Sequence, residues 1–159
     1  MLAAGGLANG AHIRRALTAG AAGALLGTRF AVTREAVGHD EYKNTLARAK
    51  ASDTMLTICY QDGWAIAPHR VLRNRTVDLW DAAGCPPPGK RPGEGDVLTT
   101  NAVTGTMKRR YSLGYPLADD RGELAELPHW AGTGVDAIRD IPSAADLVPR
   151  LWRECLEAR

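Results

Sequence analysis

Two short apolar runs, each ended by a glycine turn, open the chain. The runs are Met1–Ala4 and Ala24–Leu26, and the turns are Gly5-Gly6 and Gly27-Thr28. Between them, Asn9 predicts the start of a helix from Gly10 to Ala19, which Gly20 ends. This order of strand, turn, helix and strand predicts two parallel strands joined by a crossover helix.

The pattern changes beyond residue 40. Helices are predicted at Asp40–Ala49, over most of Val71–Ala82, at Val97–Arg110 and after the N-cap Ser143. Thr54–Tyr60 is rich in strand-forming residues and precedes Asp62-Gly63, a hairpin signal, which makes 64–67 the predicted partner strand. The proline-rich segment from Cys85 to Gly95 predicts a surface loop.

Composition narrows the class of protein. The chain is 45% hydrophobic and 24% charged, with a net charge of +2, which is typical of a globular protein without a nucleic-acid-binding stripe. Its three cysteines form no C-x-x-C pair, so neither a disulfide framework nor a metal site is predicted. No apolar run reaches the roughly 18 residues that a membrane span needs. We therefore expect a cytoplasmic protein that binds neither nucleic acid nor membrane.

The two glycine turns are the candidate binding chemistry. In a (β/α)8 barrel, phosphate lies against the loops after the seventh and eighth strands, where backbone N–H groups face it. Glycine permits that close approach because it has no Cβ. Gly5-Gly6 and Gly27-Thr28 have this placement, although spacing alone leaves two ordinary βα turns equally open.

Two segments also carry specific motifs. Ala3–Gly10 reads AAGGLANG, and Gly23–Phe30 reads GALLGTRF. They resemble A-A-G-G-I-A-[DN]-G and G-V-Q-M-G-T-R-F of the nitronate monooxygenases, formerly called 2-nitropropane dioxygenases. The similarity continues at Arg70–Arg75, Trp130–Gly134 and Asp140–Val148, and so covers nearly the whole chain.

The resemblance implies an α/β fold, the C-terminal part of a (β/α)8 TIM barrel. Residues 1–39 would hold the last two barrel strands with the FMN-phosphate loops. Residues 40–159 would form a mostly helical family-specific extension with a small hairpin and a C-terminal helix.

The resemblance also implies FMN-dependent oxidation of alkyl nitronates with dioxygen. Phosphate contacts are expected from the two glycine turns, and flavin contacts from Leu25, Leu26 and the segment beginning at Gly132. The expected cofactor-binding set is Gly5, Gly6, Leu25, Leu26, Gly27, Thr28 and Gly132. Leu25 and Thr133 depart from the family, which commonly has glutamine at both positions.

The family's catalytic histidine lies in a glycine-rich stretch N-terminal to all residues present here. The resemblance therefore implies a chain without the N-terminal half of the barrel and without a catalytic residue of its own. An in-frame upstream region encoding that half is expected, and the chain alone should pair with the missing half or with itself. Surface or capping roles are expected for the four histidines, His12, His39, His69 and His129.

Other readings stay open. Flavin-type enoyl-acyl-carrier-protein reductases share the A-A-G-G and G-T-R-F motifs, and IMP dehydrogenases share a similar Gly-Gly turn. A non-catalytic remnant is the alternative from a different class of function. The segments Arg73–Arg75 and Ile141-Pro142 favour the nitronate monooxygenase interpretation.

Overall fold

The computed structural model describes residues 1–61 and 66–158, and it confirms the α/β class. The chain divides into two compact units. Unit 1 comprises Met1–Ala36, Lys43–Ser52 and Ala131–Arg159, and unit 2 comprises Val37–Tyr42 and Asp53–Trp130.

Unit 1 begins with the predicted strand–helix–strand element. Strands β1 (Leu2–Ala4) and β2 (Gly23–Leu25) are parallel and are joined by helix α1 (Gly10–Thr18). The Asn9 side chain accepts a hydrogen bond from the His12 N–H at 2.9 Å, as expected of an N-cap. Gly20 follows the helix with a φ of +91°, a conformation that favours glycine.

The rest of unit 1 is helical. It contains α2 (Thr28–Ala31), the larger part of α3 (Asp40–Arg48), a 3-10 helix (Thr133–Ala137) and α5 (Ala144–Glu157). Ser143 caps α5, as predicted, by accepting a hydrogen bond from the Asp146 N–H. The buried apolar residues are Ala8, Val32, Leu46, Ala49, Ala131, Val135, Ile138, Leu147, Leu151 and Cys155.

Unit 2 contains the predicted hairpin with a different partner strand. Strand β3 (Thr54–Thr57) pairs antiparallel with β4 (His69–Leu72). The predicted partner at 64–67 is therefore wrong for Ile66 and Ala67, and its first two residues lie outside the described part of the chain. The predicted turn at 62–63 lies outside the described residues. Helix α4 (Arg75–Ala82) follows, and its first turn is capped by Asn74. The partner strand β4 therefore begins five residues later than the predicted start at residue 64.

The predicted helix over Val97–Arg110 is also wrong. This segment forms strands β5 (Val97–Asn101) and β6 (Met107–Arg109), and with β7 (Asp120–Gly122) they make an antiparallel sheet in the order β6-β5-β7. The Asn101 carboxamide oxygen accepts hydrogen bonds from the N–H groups of Val103 and Thr104, and so it stabilises a turn in place of a helix. The chain beyond residue 40 thus combines helices with sheet.

The core of unit 2 mixes apolar and paired polar side chains. One hydrophobic cluster contains the buried residues Cys59, Tyr60, Val71, Val77, Trp80 and Tyr111. Two ion pairs are buried or nearly so, Arg110 with Glu126 and Lys108 with Asp120. In the described ranges, no helix has both the length and the apolar character that crossing a bilayer requires.

Candidate functional site

A pocket of about 250 Å³ opens in unit 1 where the two glycine turns meet Gly132–Gly134, called the C-terminal segment below. The turns follow β1 and β2, and because these strands are parallel, both turns lie at the same edge of the sheet. The lining residues are Ala4, Gly5, Gly6, Leu7, Leu25, Gly27, Thr28, Gly132 and Gly134. These residues carry no ionisable side chain, so the pocket offers backbone groups, one hydroxyl and apolar surface.

The structure brings together most of the residues that the sequence singled out. Six of the seven line the pocket, whereas Leu26, the seventh, does not. Ala4 and Leu7 line it without having been predicted. Their positions directly before and after Gly5-Gly6 are the sequence feature that could have predicted them as lining residues. Gly134 lies in the segment that the motif comparison placed near the flavin.

Glycine is required where the C-terminal segment passes the first turn. Gly6 has a φ of +69°, and a Cβ built on it would lie 2.9 Å from the Thr133 Oγ1. A Cβ on Gly134 would overlap the Gly6 carbonyl oxygen. Gly132 tolerates a Cβ at ordinary contact distance, 3.5 Å from the Gly6 nitrogen. Gly6 and Gly134 thus permit two backbone segments, far apart in sequence, to pack directly against each other.

Gly27 has a different role in the pocket. Its backbone is in the right-handed helical region, with a φ of −89°, which any residue can adopt. A Cβ there would meet nothing within 4 Å, so its missing side chain leaves open space at the pocket wall. Gly27 is therefore not needed for the fold of the turn, and the space it leaves is available to a ligand.

The Thr28 hydroxyl joins the second turn to the C-terminal segment. Its Oγ1 accepts a hydrogen bond from the Gly132 N–H at 2.9 Å. This is its one hydrogen bond within the described part of the chain, so the hydroxyl proton remains available to donate. The hydroxyl predicted as a ligand donor is thus also a structural acceptor.

Arg29, next to the pocket, is a buried structural residue. Its side chain is 2% exposed and donates hydrogen bonds to the Asp140 carbonyl oxygen at 3.1 Å and to its carboxylate at 2.7 Å. Burial lowers the pKa of Arg29, an effect that the Asp140 carboxylate opposes. Arg150 donates a hydrogen bond to the same carboxylate and, together with Arg29, lowers its pKa despite partial burial. The arginine of the G-T-R-F motif therefore anchors the residues before α5.

The histidines lie elsewhere. None of the four lines the pocket. The expected surface or capping role is wrong for His129, which is 3% exposed, packs edge-on against Tyr42 and hydrogen-bonds through Nδ1 to the Leu127 carbonyl oxygen. Burial lowers the pKa of His129, so the neutral imidazole is favoured.

Comparison with known proteins identifies the family. The family model described as nitronate monooxygenase matches residues 1–154. A nitronate monooxygenase from Paraburkholderia phytofirmans is 31% identical over 157 residues, which are 97% of this chain and 37% of that protein. The chain therefore belongs to the nitronate monooxygenase family, and it spans less than two fifths of this relative's length.

Solved structures agree with this assignment. The nitroalkane oxidase of Streptomyces ansochromogenes superposes with a TM-score of 0.66 at 26% identity, over 99% of this chain and 40% of the other. FabK from Thermotoga maritima gives a TM-score of 0.73 at 22% identity, over 98% of this chain and 44% of the other. The second likeness shows the shared fold.

Proposed function

We propose that the pocket holds the phosphate of FMN, and that the protein belongs to an FMN-dependent system that oxidises alkyl nitronates with dioxygen. The observation that carries this proposal is the convergence of Gly5-Gly6, Gly27-Thr28 and Gly132 on one pocket. Membership of the nitronate monooxygenase family supports the reaction class.

The chemistry of the pocket suits a phosphate. Its walls combine backbone from two glycine turns with the Thr28 hydroxyl, and no carboxylate among the lining residues repels an anion. Gly27 leaves space at the wall, so a ligand oxygen can approach the backbone closely. The volume is below the roughly 300–1,000 Å³ of pockets that enclose drug-sized ligands. The pocket therefore fits the phosphate end of a larger cofactor.

The strands support the same assignment. We infer that β1 and β2 are the last two strands of a (β/α)8 barrel, because phosphate sites in that fold follow its last strands. Parallel strands are normally buried on both faces, yet Leu2 is 64% exposed and Leu25 is 62% exposed. Their exposure fits a sheet to which further strands add.

This chain's residues have a binding role in the proposed reaction. The flavin, when bound, supplies the oxidation–reduction chemistry. Gly5, Gly6, Gly27 and Thr28 hold its phosphate, and Leu25 provides apolar surface beside it. Since the lining residues include no general base, we expect the chain alone to show no oxygen consumption with an alkyl nitronate. We expect it to retain FMN weakly, because its residues contact chiefly the phosphate end of the cofactor.

A second candidate function rests on the glycine motifs. Flavin-type enoyl-acyl-carrier-protein reductases share both of them, so a relative of these reductases is the alternative. Leu25 stands where the nitronate monooxygenases commonly have glutamine, which removes a polar flavin contact expected of that family. The two are separated by substrate: an alkyl nitronate with dioxygen in one case, an enoyl thioester in the other.

The experiment compares FMN with riboflavin, which lacks the phosphate, by titration of flavin fluorescence. The unsubstituted chain should bind FMN more tightly. Gly27→Val should reduce FMN affinity by about tenfold or more, because the new side chain fills space next to the phosphate without straining the backbone. Gly95→Val is the matched control, since a Cβ there also meets nothing within 4 Å. Equal affinity for the two flavins would contradict the proposal.

A further inference from the structure

The C-terminal wall of the pocket is held at its two ends by different means. Beyond Gly134, Val135 and Ile138 are fully buried, and the Asp136 carboxylate accepts a hydrogen bond from the Ala51 N–H at 2.7 Å. Packing and this hydrogen bond therefore fix the segment from residue 135 onward.

The three residues Gly132–Gly134 have much less to hold them. Gly132 and Gly134 have no side chains to bury, and Thr133 is exposed. The Gly132 N–H donates to the Thr28 hydroxyl, and Gly134 packs against the Gly6 backbone. The Val135 N–H also donates to the Gly132 carbonyl oxygen at 3.1 Å, within the turn of the 3-10 helix. The Thr28 hydroxyl therefore provides the hydrogen bond that joins this part of the wall to the second glycine turn.

We propose that Thr28 is a positioning residue, whose hydroxyl holds Gly132–Gly134 against Gly6 and so completes the pocket before a ligand enters. This inference rests on the proposed phosphate site and adds that the Thr28 hydroxyl has two roles there, one structural and one in ligand binding. The Thr28 oxygen accepts from Gly132, while its proton stays available for the ligand. We call this arrangement of Thr28, Gly132–Gly134 and Gly6 the clasp.

The clasp predicts that the wall loosens when the acceptor is removed, even with no ligand present. Thr28→Val keeps the shape of the side chain but leaves the Gly132 N–H without its acceptor. Gly134→Ala disturbs the clasp from the other side, because its Cβ overlaps the Gly6 carbonyl oxygen while the Thr28 hydroxyl is kept. Thr28→Ser retains the hydroxyl and should preserve the clasp.

The first measurement is amide hydrogen exchange of the ligand-free full chain. Exchange at the Gly132 amide should be about tenfold faster or more in Thr28→Val and near the unsubstituted rate in Thr28→Ser. Thr18→Val, at an exposed threonine of α1, is the control and should leave exchange at the Gly132 amide unchanged. Unchanged exchange in Thr28→Val would overturn the clasp whether or not the pocket binds FMN.

The second measurement is the ratio of FMN affinity to riboflavin affinity. Thr28→Val and Gly134→Ala should each lower it about tenfold, Gly95→Ala should not, and the double variant should fall little below either single one because both break the same arrangement. A normal ratio in Gly134→Ala, or fully additive losses, would overturn the role of the clasp in binding. No preference for FMN in the unsubstituted chain would instead overturn the proposed function.

Discussion

Both α1 in unit 1 and α4 in unit 2 begin with an asparagine cap, yet the two caps have different surroundings. The Asn9 side chain accepts one hydrogen bond, from the His12 N–H. The Asn74 oxygen accepts from the Val77 N–H and from the Tyr60 hydroxyl, and its nitrogen donates to the Ala125 and Leu127 carbonyl oxygens. The same residue type therefore caps the start of one helix locally and joins three segments in the other unit.

The difference extends to the two units as a whole. Unit 2 pairs buried charged groups with other polar groups of the fold: the Asp120 carboxylate accepts from Lys108, Asn101 and the Leu117 N–H. Unit 1 depends on close backbone approaches at Gly6, Gly10 and Gly134, and it leaves a pocket walled by backbone. Polar groups paired within the fold stabilise it, whereas a ligand site requires polar groups that the fold leaves available.

The largest effect is expected for Asp120→Ala in unit 2. Asp120 is 0% exposed, so the substitution leaves the largely buried Lys108 ammonium without its carboxylate. Such a loss costs about 3–5 kcal/mol of unfolding free energy. Denaturant unfolding followed by circular dichroism measures it, with Asp119→Ala, at an exposed neighbour, as the control. Similar stability for both variants would show that the buried pair is dispensable.

The two caps provide the next test. Asn9→Ala should cost about 1 kcal/mol, the usual loss for an N-cap. Asn74→Ala should cost roughly 2–4 kcal/mol, since it also leaves the fully buried Tyr60 hydroxyl without its acceptor. Asn74→Asp keeps the acceptor and should fall between them. The same unfolding measurement decides this, and equal losses at both caps would remove the distinction between the units.

Gly10→Ala tests whether unit 1 requires glycine at its close packing contacts. Alanine is normally preferred to glycine in a helix, but a Cβ on Gly10 would overlap Glu154 and the Cys155 backbone of α5. Overpacking of this kind costs about 1–3 kcal/mol. Gly27→Ala, in the same unit, has open space and should stay within about 0.5 kcal/mol. The thermal midpoints of the two variants provide the comparison, and a stabilised Gly10→Ala would contradict the packing argument.

The smallest effect concerns pH and His129. Its pKa is lowered by burial, so the unfolded chain binds a proton near pH 6.5 that the folded chain resists. The stability that His129 supports is thus fully present above pH 6.5 and declines as the pH falls below it, by at most about 1.4 kcal/mol per pH unit. His129→Gln should flatten the dependence of unfolding free energy on pH between 7.5 and 5.5. An unchanged slope would count against a neutral buried imidazole.

Local sequence patterns predicted structure correctly where that structure depends on neighbouring residues. Asn9, Gly20 and Ser143 marked helix ends correctly, because a cap is made by residues within one turn of it. The glycine turns marked the pocket because a βα turn places its backbone at the end of the preceding strand. Val97–Arg110 was misread as a helix because the turn at Asn101 depends on side-chain hydrogen bonds that compete with helix formation.

The sequence by itself thus determined the strand–helix–strand element, its caps and six residues of the candidate site. The tertiary structure alone decided that Arg29 is an anchor for Asp140, that His129 is buried and that Thr28 accepts from Gly132. These contacts join residues tens to more than a hundred positions apart. Only packing brings them together, since no periodicity within a helix or strand reports a partner at such a separation.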